Sequence, residues 1–371
     1  MPALNSGGVE RGALEIARGL VAAGHRALIA SKGGRMEGLV GKAGAELIRL
    51  PLAGKNPLTL RANARRLAEL IRREGVDIVH ARSRAPAWSA YWACRRTATP
   101  FVTTYHGTYS EGFPGKRLYN SVMARGDRVI AISEFIADRI RERHRVEDER
   151  LVVVHRGADI DVFDPEKVSR SAAMAMSERW GAADDDRPIF LLPGRLTRWK
   201  GQIEFIEAAA LLRAQAGERF LAVILGADEG DGAYEKELQK RIADRDLDPI
   251  VRLVGHEADM PSAYWLSSVV VSASNEPEAF GRIAVEGQAM GEPVIATAHG
   301  GAMETVADGE TGFHVTPGDP ENLAAAMAHL LEMSAEQRAA IGRRGIERAR
   351  ARFSVSAMQA ATLAVYRSLV P

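Results

Sequence analysis

Residues 189–212 of the chain read IFLLPGRLTRWKGQIEFIEAAALL. The apolar run Ile189–Leu192 leads into a loop bounded by Gly194 and Gly201, and a helical pattern follows. A short apolar run that ends at proline or glycine is typical of a buried strand. The stretch therefore predicts a strand, a loop and a helix in succession, which is the repeating unit of an α/β sheet.

The same alternation continues along the rest of the 371 residues. Strands that alternate with helices through short connections indicate parallel sheets covered by helices on both faces. Two doubly wound domains explain this length better than one closed barrel, which needs about 250 residues. The other expected strands are Ala27–Ser31, Leu47–Leu50, Asp77–His80, Phe101–Tyr105, Arg128–Ile132, Leu151–Val154, Phe220–Leu225, Val251–Val254, Val269–Ser272, Pro293–Ala296 and Gly312–Val315.

The domain boundary is expected within residues 155–187, where Gly, Asp and Pro interrupt the alternation. We expect an N-terminal Rossmann-like domain over residues 1–165 and a C-terminal one over residues 166–353. Consecutive helices are predicted for the last 50 residues, and the final one, Val355–Leu369, lies in the segment 354–371.

The composition indicates a globular protein and excludes several classes. Hydrophobic residues make up 46% of the chain, and a single cysteine, Cys94, excludes an intramolecular disulfide framework and a Cys-rich zinc module. Apolar runs such as Phe220–Leu225 are far shorter than the roughly 20 residues of a membrane span. No secretion signal is recognisable, so a cytoplasmic location is expected.

Charge is distributed unevenly between the two halves. Residues 1–170 hold 29 Lys and Arg against 19 Asp and Glu, whereas the chain as a whole has a net charge of +1. A basic half suits an anionic substrate or a membrane surface, and the alternative is two ordinary solvated surfaces. Nucleic acid is not favoured, because the positive charge is not interleaved with aromatic residues.

The first residues contain a glycine turn, Gly7-Gly8, directly before a helical pattern. Paired glycines allow a close backbone approach, and the start of a helix attracts anions, so the turn suits a phosphate. The alternative is a tight turn that needs glycine for its dihedral angles. In a doubly wound domain such a turn follows the first strand, so we expect that this strand is missing here.

The loop Gly194–Gly201 carries Arg195 and Lys200 immediately after a predicted strand. Ligands of open α/β sheets bind at the ends of strands. Arg195 can grip phosphate oxygens with two hydrogen bonds, and Lys200 supplies a compact positive charge. These residues therefore predict a diphosphate site, with a basic surface loop as the alternative.

Two glutamates flank the next candidate site. Glu278 lies in a predicted loop and Glu286 lies eight residues later in a predicted helix, which Phe280 and Gly281 precede. Either carboxylate could accept hydrogen bonds from sugar hydroxyls, and the amides at the start of the helix would face a phosphate. The alternative is one solvated loop residue and one solvated helix residue.

Four motifs together resemble the family 4 retaining glycosyltransferases of the GT-B fold, also described as glycosyl transferases group 1. They are the early Gly-Gly, the Gly-Arg-x4-Lys-Gly loop, Glu-x-Phe-Gly with its second glutamate, and Pro293–Ala296 followed by Gly300-Gly301. Similar segments also occur at Val153–Phe163 and Gly309–Phe313. The resemblance implies two facing Rossmann-like domains, with the C-terminal helix crossing back toward the N-terminal domain.

The resemblance also implies roles for particular residues. Arg195 and Lys200 would bind the donor diphosphate, Glu278 the donor sugar and Glu286 the ribose. Catalysis would involve His106, Arg195, Lys200 and Glu278. The donor would further contact Gly7, Gly8, Gly255, His256, Phe280 and Gly281.

Such an enzyme would transfer a sugar from a nucleotide diphosphate, of the UDP or GDP type, to an acceptor hydroxyl with retention of configuration. Stabilisation of the leaving group would dominate, and no cofactor or metal is expected. A glycosidase would need two carboxylates that flank the scissile bond, and the two glutamates are better suited to binding hydroxyl groups.

The acceptor is expected on the basic N-terminal side. Candidate contacts are Arg82, Arg84, Tyr109 and Lys116, the last two in the loop 108–117. The predicted helix that begins at Pro57 and the apolar stretch Leu118–Met123 suggest peripheral contact with a membrane that carries a glycolipid, for example a lipopolysaccharide-type acceptor. An ordinary basic helix face is the alternative. The arginines of that helix are Arg61, Arg65, Arg66, Arg72 and Arg73.

Two rival functions remain open at this stage. A non-hydrolysing nucleotide-sugar epimerase has the same architecture and acts without an acceptor. A catalytically inactive nucleotide-sugar-binding protein would bind the donor without turnover. The sequence identifies neither the nucleotide, the sugar and the acceptor nor the oligomeric state.

Overall fold

The computed structural model describes residues 1–5, 7–109, 112, 115–183, 185–228 and 230–370. Contacts divide the chain into two compact units. Unit 1 consists of Met1–Gly157 together with Val355–Pro371, and unit 2 consists of Ala158–Ser354. The predicted bounds place residues 158–165 in the N-terminal domain, whereas the structure places them in unit 2.

Unit 1 contains two parallel sheets. Strand β1 (Leu28–Ser31) pairs with β2 (Glu46–Arg49). The second sheet has the order β3-β4-β5-β6, with all neighbours parallel. Its strands are β3 (Val79–Ala81), β4 (Phe101–Tyr105), β5 (Arg128–Ala131) and β6 (Leu151–Val153).

The first residues run beside β1 without forming a strand of their own. The Met1 amino group donates to the Ala30 carbonyl at 2.9 Å, and the Leu4 amide donates to the Gly33 carbonyl at 3.0 Å. Among the described residues no strand precedes the first helix, and none joins β1 to β3.

Helices cover both sheets of unit 1. The final helix of the chain packs on the first, where the Gln359 side-chain amide donates to the Glu15 carbonyl at 2.6 Å. The seven helices described in this unit are α1 (Gly8–Ala22), α2 (Gly38–Lys42), α3 (Pro57–Glu74), α4 (Arg84–Thr97), α5 (Lys116–Asn120), α6 (Glu134–His144) and α15 (Val355–Arg367).

The apolar stretch Leu118–Met123 does not form an apolar surface. Val122 and Met123 are fully buried in unit 1, and Leu118 is the exposed large side chain of the stretch. The expectation that this stretch as a whole faces a membrane is therefore wrong, because most of its apolar area belongs to the core.

Unit 2 is built on one parallel six-stranded sheet in the order β12-β11-β10-β7-β8-β9. The chain order reverses between β7 and β10, which are neighbours at the centre, and ligands of doubly wound sheets bind where this reversal occurs. The strands are β7 (Ile189–Pro193), β8 (Leu221–Leu225), β9 (Val251–Leu253), β10 (Val269–Ser272), β11 (Val294–Thr297) and β12 (Gly312–Val315).

The core of unit 2 lies between the sheet and its helices. Phe190 and Phe220 pack edge to face with ring centroids 6.0 Å apart, and both side chains are fully buried. The helices described are α7 (Arg170–Arg179), α8 (Gln202–Ala216), α9 (Ala233–Asp244), α10 (Met260–Leu266), α11 (Arg282–Ala289), α12 (Ala302–Thr305), α13 (Pro320–Glu332) and α14 (Ala335–Arg352).

Candidate functional site

The loop 194–201 leaves the carboxyl end of β7 and is held in place by backbone contacts. The Leu196 amide donates to the Ala227 carbonyl at 3.1 Å, and the Gln202 side chain donates to the Arg195 carbonyl at 2.9 Å. Gly201 has a φ of 77°, and a Cβ at this position would lie 1.9 Å from the Ala273 carbonyl oxygen. Only glycine therefore lets this loop press against the segment that follows β10.

Lys200 and Glu278 form the central ion pair of unit 2. Lys200 Nζ lies 2.7 Å from Glu278 Oε1, and the two side chains are only 12% and 17% exposed. The Ser274 hydroxyl donates to the same Glu278 oxygen at 2.5 Å, and Lys200 Nζ lies 4.5 Å from the centroid of the Trp199 ring. The structure thus joins two predicted site residues from different loops at the switch point of the sheet.

The backbone of Glu278 is fixed by the glycine pair after β11. The Gly301 amide donates to the Glu278 carbonyl at 2.8 Å. A Cβ on Gly300 would lie 2.5 Å from that carbonyl oxygen. The second half of the Pro293–Gly301 motif therefore packs beneath the loop that carries Glu278, and its glycines permit this close approach.

Helix α11 begins directly behind this loop. Gly281 precedes its first residue, Arg282, with a φ of 78°, and Phe280 is buried. Because the first amides of a helix point back along its axis, α11 adds partial positive charge on the side of the Glu278 loop. This arrangement can receive a phosphate group beside Lys200.

Glu286 is a buried, doubly held carboxylate and not a solvated helix residue. It is 5% exposed, the Tyr264 hydroxyl donates to its Oε2 at 2.9 Å, and Arg282 Nε donates to its Oε1 at 2.5 Å. Burial first, and then the charge of Glu286, raises the pKa of Tyr264 well above its ordinary value. Tyr264 therefore stays a neutral donor that orients Glu286.

Arg195, Gly255 and His256 lie on the same edge of this sheet. Arg195 is exposed in the loop after β7. The Gly226 amide after β8 donates to the carbonyl of Gly255 after β9 at 2.7 Å, and His256 is exposed next to it. The loops after β7 and β9 thus carry Arg195, Gly255 and His256 on the same side of the sheet as Lys200.

The glycine turn of unit 1 lies against two arginines. A Cβ on Gly8 would lie 1.6 Å from Arg156 Nη2, and a Cβ on Gly12 would lie 2.8 Å from Arg82 Nη2. Gly7, with a φ of 127°, precedes the first residue of α1. Two guanidinium groups therefore occupy the space that side chains at the start of α1 would otherwise fill.

His106 belongs to the same basic cluster. Both of its ring nitrogens and Arg82 Nε are buried without a hydrogen-bond partner within the described part of the chain. Burial, followed by the charges of Arg82 and Arg156, lowers the pKa of His106 well below its ordinary value. Burial also lowers the pKa of Arg82 to about 10. His106, Arg82 and Arg156 line a cavity of about 10 Å³, so unit 1 contains a compact cationic cluster beside its glycine turn.

Arg84 contacts both Tyr109 and the end of α5. The Arg84 guanidinium lies 4.3 Å from the Tyr109 ring centroid and donates to Asn120 Oδ1 at 2.8 Å. Lys116 begins the helix that ends at Asn120. Burial raises the pKa of Tyr109 to about 12. Residues 110, 111, 113 and 114 of the predicted acceptor loop lie outside the described residues.

Four residues of these sites were not predicted from the sequence, and one of them is Arg282, which donates to Glu286. Tyr264 and Ser274 are held against the glutamates by tertiary structure, and no local motif marks them. Arg156 lies within the quoted segment Val153–Phe163, so its position next to the resemblance motif was the available indication.

Comparison with family models matches each half of the chain to a glycosyltransferase family. Residues 177–348 match the model described as Glycosyl transferases group 1. Residues 6–162 match the model described as Glycosyltransferase Family 4. Within the described residues no helix is long and apolar enough to cross a membrane.

Individual relatives agree with these matches. A crystal structure of a glycosyltransferase from Rickettsia africae is 35% identical, with a TM-score of 0.89 over 100% of this chain and 97% of that chain. The structure of Anabaena HepE in complex with UDP is 26% identical, with a TM-score of 0.82 over 99% of this chain and 100% of that chain.

A D-inositol 3-phosphate glycosyltransferase from Streptomyces avermitilis is 32% identical over 293 residues, which cover 74% of this chain. The match spans 61% of that relative's length.

Proposed function

Because the chain belongs to the glycosyl transferases group 1, with two Rossmann-like domains of the GT-B type, we propose that it is a retaining glycosyltransferase that uses a nucleotide-diphosphate sugar. The nucleotide is of the UDP or GDP type, and the UDP complex of the similar HepE protein supports this assignment. The reaction takes place without a cofactor or a bound metal.

The reaction breaks the bond between the anomeric carbon of the sugar and the oxygen of the diphosphate. A bond from the same carbon to the acceptor oxygen forms on the same face, and the acceptor proton passes to the departing phosphate. Lys200, Arg195 and the first amides of α11 stabilise the negative charge that develops on the diphosphate. Glu278 binds the reacting sugar, and Glu286 binds the ribose.

The Lys200–Glu278 pair is the observation that carries this proposal. At 12% and 17% exposure the pair is poorly solvated, so both groups have a strong electrostatic effect on a ligand that displaces water. A donor offers new partners to both groups, a phosphate oxygen to Lys200 and a sugar hydroxyl to Glu278. A hydrolase would instead need carboxylates placed on either side of the bond.

For the acceptor we propose a glycolipid or lipopolysaccharide-type glycan of the cell envelope, reached by a cytoplasmic protein that touches the membrane surface. The basic character of residues 1–170 supports this choice, since anionic membranes attract basic surfaces. Arg84, Tyr109 and Lys116 would contact the glycan. Exposed Leu58 and Leu118 supply apolar contact points.

A second acceptor class is favoured by the cationic cluster of unit 1. Buried nitrogens of Arg82 and His106 that have no hydrogen-bond partner in the described chain are costly without one, and an anion can accept from the Arg82 guanidinium. A phosphorylated polyol acceptor would supply that anion, and the name of the S. avermitilis relative fits this class.

Donor binding and turnover test the proposal. Calorimetric titration with UDP, GDP and ADP should detect binding of one nucleotide. Lys200→Ala should raise the Kd for that nucleotide at least tenfold. Lys236→Ala is the matched control, because that lysine is exposed on α9. Turnover with the matching nucleotide sugar is then followed by NMR of the anomeric proton. Retained configuration in the product supports the mechanism, and inversion contradicts it.

Three acceptors are then tested in separate reactions. They are lipopolysaccharide in vesicles, free inositol 3-phosphate and free inositol. An isomerised sugar without any acceptor would identify an epimerase. Binding without turnover for every acceptor would support an inactive binding protein. Loss of activity with Arg82→Gln toward inositol 3-phosphate alone would select the phosphorylated acceptor.

A further inference from the structure

Tyr264 orients Glu286, and the position of its own ring must therefore be fixed. Its hydroxyl donates to Glu286 Oε2 at 2.9 Å, and its side chain is fully buried. A tyrosine side chain turns about two bonds, so its hydroxyl stays at one point only where the ring is held as well. The residue that holds this ring thus influences where the Glu286 carboxylate lies.

The main chain of Tyr264 is anchored within the short helix α10. The Ser267 amide and hydroxyl both donate to the Tyr264 carbonyl, at 3.0 Å and 2.7 Å. At the other end of the helix, the Ser262 amide donates to Asp259 Oδ1 at 3.3 Å. These contacts hold the backbone of α10 at both ends, and they leave the position of the Tyr264 ring to side-chain packing.

Phe163 packs against the Tyr264 ring. The two ring centroids lie 5.9 Å apart and the ring planes are inclined by 66°, which is a T-shaped contact. Phe163 is 7% exposed, so both rings belong to the interior of unit 2. Edge-to-face contacts are favourable only over a narrow range of ring orientations, so Phe163 restricts the rotation of the Tyr264 ring.

Phe163 is itself held by a turn at the start of unit 2. Its amide donates to the Asp159 carbonyl at 2.9 Å, and the Ala158 amide donates to the Phe353 carbonyl at 2.7 Å. The turn is therefore tied to the other end of unit 2 by a backbone hydrogen bond. Phe163 ends the segment Val153–Phe163, which the sequence analysis singled out without giving this residue a role.

We propose that Phe163 is a positioning residue of the donor site, which holds the Tyr264 ring so that its hydroxyl presents Glu286 to the ribose. This role rests on the proposed function, in which Glu286 binds the ribose. Arg282 also donates to Glu286, but its side chain is 46% exposed, and an exposed side chain restricts the carboxylate less than a buried one. Phe163 acts through Tyr264, so its loss should affect recognition of the ribose hydroxyls and not nucleotide binding in general.

The test compares UDP with 2′,3′-dideoxy-UDP, and GDP with 2′,3′-dideoxy-GDP, by calorimetric titration of the full chain. The dideoxy nucleotides lack both ribose hydroxyls. For the base that binds, the wild type should prefer the ribonucleotide at least tenfold, because hydrogen bonds to a charged group are strong. Phe163→Leu should raise the Kd of the ribonucleotide about fivefold and change the Kd of the dideoxy nucleotide less than twofold.

Phe220→Leu is the matched control. Phe220 makes an edge-to-face contact with Phe190, with ring centroids 6.0 Å apart, and both side chains are buried in unit 2. Phe220 precedes β8, at the edge of the sheet opposite the candidate site. This variant should lower the melting temperature and leave the preference for the ribonucleotide unchanged, so the preference separates positioning from a general loss of packing.

Two further variants show whether Phe163 acts through Tyr264. In a Tyr264→Phe background, Phe163→Leu should have no additional effect on the preference, because the ring no longer carries a hydroxyl. Phe163→Met fills the space flexibly without an aromatic ring, so it serves as the folded variant if Phe163→Leu unfolds. It should lower the preference at least twofold.

A wild type that binds neither UDP nor GDP would contradict the proposed function itself. Binding without a preference for the ribonucleotide would overturn the role of Glu286 and, with it, the role of Phe163. The assignment of Phe163 alone would be overturned by a wild-type preference that persists in both Phe163 variants or falls equally in Phe220→Leu. A full effect of Phe163→Leu in the Tyr264→Phe background would overturn it as well.

Discussion

Replacing Lys200 with methionine should lower the free energy of unfolding of unit 2, and a second substitution, at Glu278, should restore most of it. Lys200→Met keeps the length of the side chain and removes its charge. Glu278, only 17% exposed, then keeps the hydrogen bond from the Ser274 hydroxyl but has lost the Lys200 ammonium. An ionised carboxylate in such a position loses its principal stabilising partner.

The magnitude follows from burial. Removing one partner of a fully buried ion pair costs about 3–5 kcal/mol. Since Glu278 is partly exposed and keeps the Ser274 hydrogen bond, we expect about 2 kcal/mol here. At roughly 2–4 °C per kcal/mol for a domain of this size, the unfolding transition of unit 2 should fall by roughly 4–8 °C.

The double variant Lys200→Met/Glu278→Gln should recover most of this loss, because no uncompensated charge remains. Scanning calorimetry at pH 7.5 on the wild type, both single variants and the double variant forms a complete cycle, with an expected coupling of about 1–2 kcal/mol. Donor binding should stay weak in the double variant. A Lys200→Met transition equal to the wild type, or additive losses in the double variant, would refute the reasoning.

Three further predictions concern other parts of the molecule. Tyr264→Phe removes the donor to Glu286, so the KM for the donor should rise about tenfold with kcat nearly unchanged in steady-state kinetics; an unchanged KM would contradict the positioning role. His106→Phe removes two buried nitrogens that lack partners, so urea unfolding should show about 1 kcal/mol of added stability at pH 6, while transfer activity is lost. Because the pKa of His106 is lowered in the folded state, its contribution to stability is present above about pH 6.5 and is lost as the pH falls through the folded-state pKa. The variant should therefore lose less unfolding free energy than the wild type between pH 7 and pH 5. Parallel curves of unfolding free energy against pH would count against this. Charge reversal of two exposed α3 residues, Arg65→Glu with Arg66→Glu, should reduce co-sedimentation with anionic vesicles at least tenfold at low salt, and binding that resists both this change and added salt would argue against the membrane contact.

Secondary structure could be read from the sequence almost completely, because it depends on local patterns. All twelve strands in the described part of the chain lie within two residues of their predicted bounds. The helix expected to begin at Pro57 likewise forms as α3 (Pro57–Glu74). Apolar runs, caps and glycines act over a few residues, so the sequence itself carries this information.

The arrangement of the sheets could not be read in the same way. Unit 1 has two sheets, although its strands show the same pattern as those of the continuous sheet in unit 2. An apolar pattern predicts that a strand is buried, but it does not predict which other strand pairs with each of its edges. Only the packing of the whole unit decides that β1 pairs with β2 and that β3 pairs with β4 in a separate sheet.

The same distinction applies to the candidate site, because its residue types could be predicted from local motifs and their contacts could not. The motifs alone singled out Lys200, Glu278 and Glu286 as residues with the right chemistry. Only the tertiary structure shows that Lys200 and Ser274 both donate to the same oxygen of Glu278, which lies 78 residues after Lys200. It likewise shows that Tyr264 and Arg282 donate to Glu286. These contacts depend on β7 and β10 being neighbours at the switch point, and strand order is set by packing across the whole sheet, which no local stretch of sequence encodes.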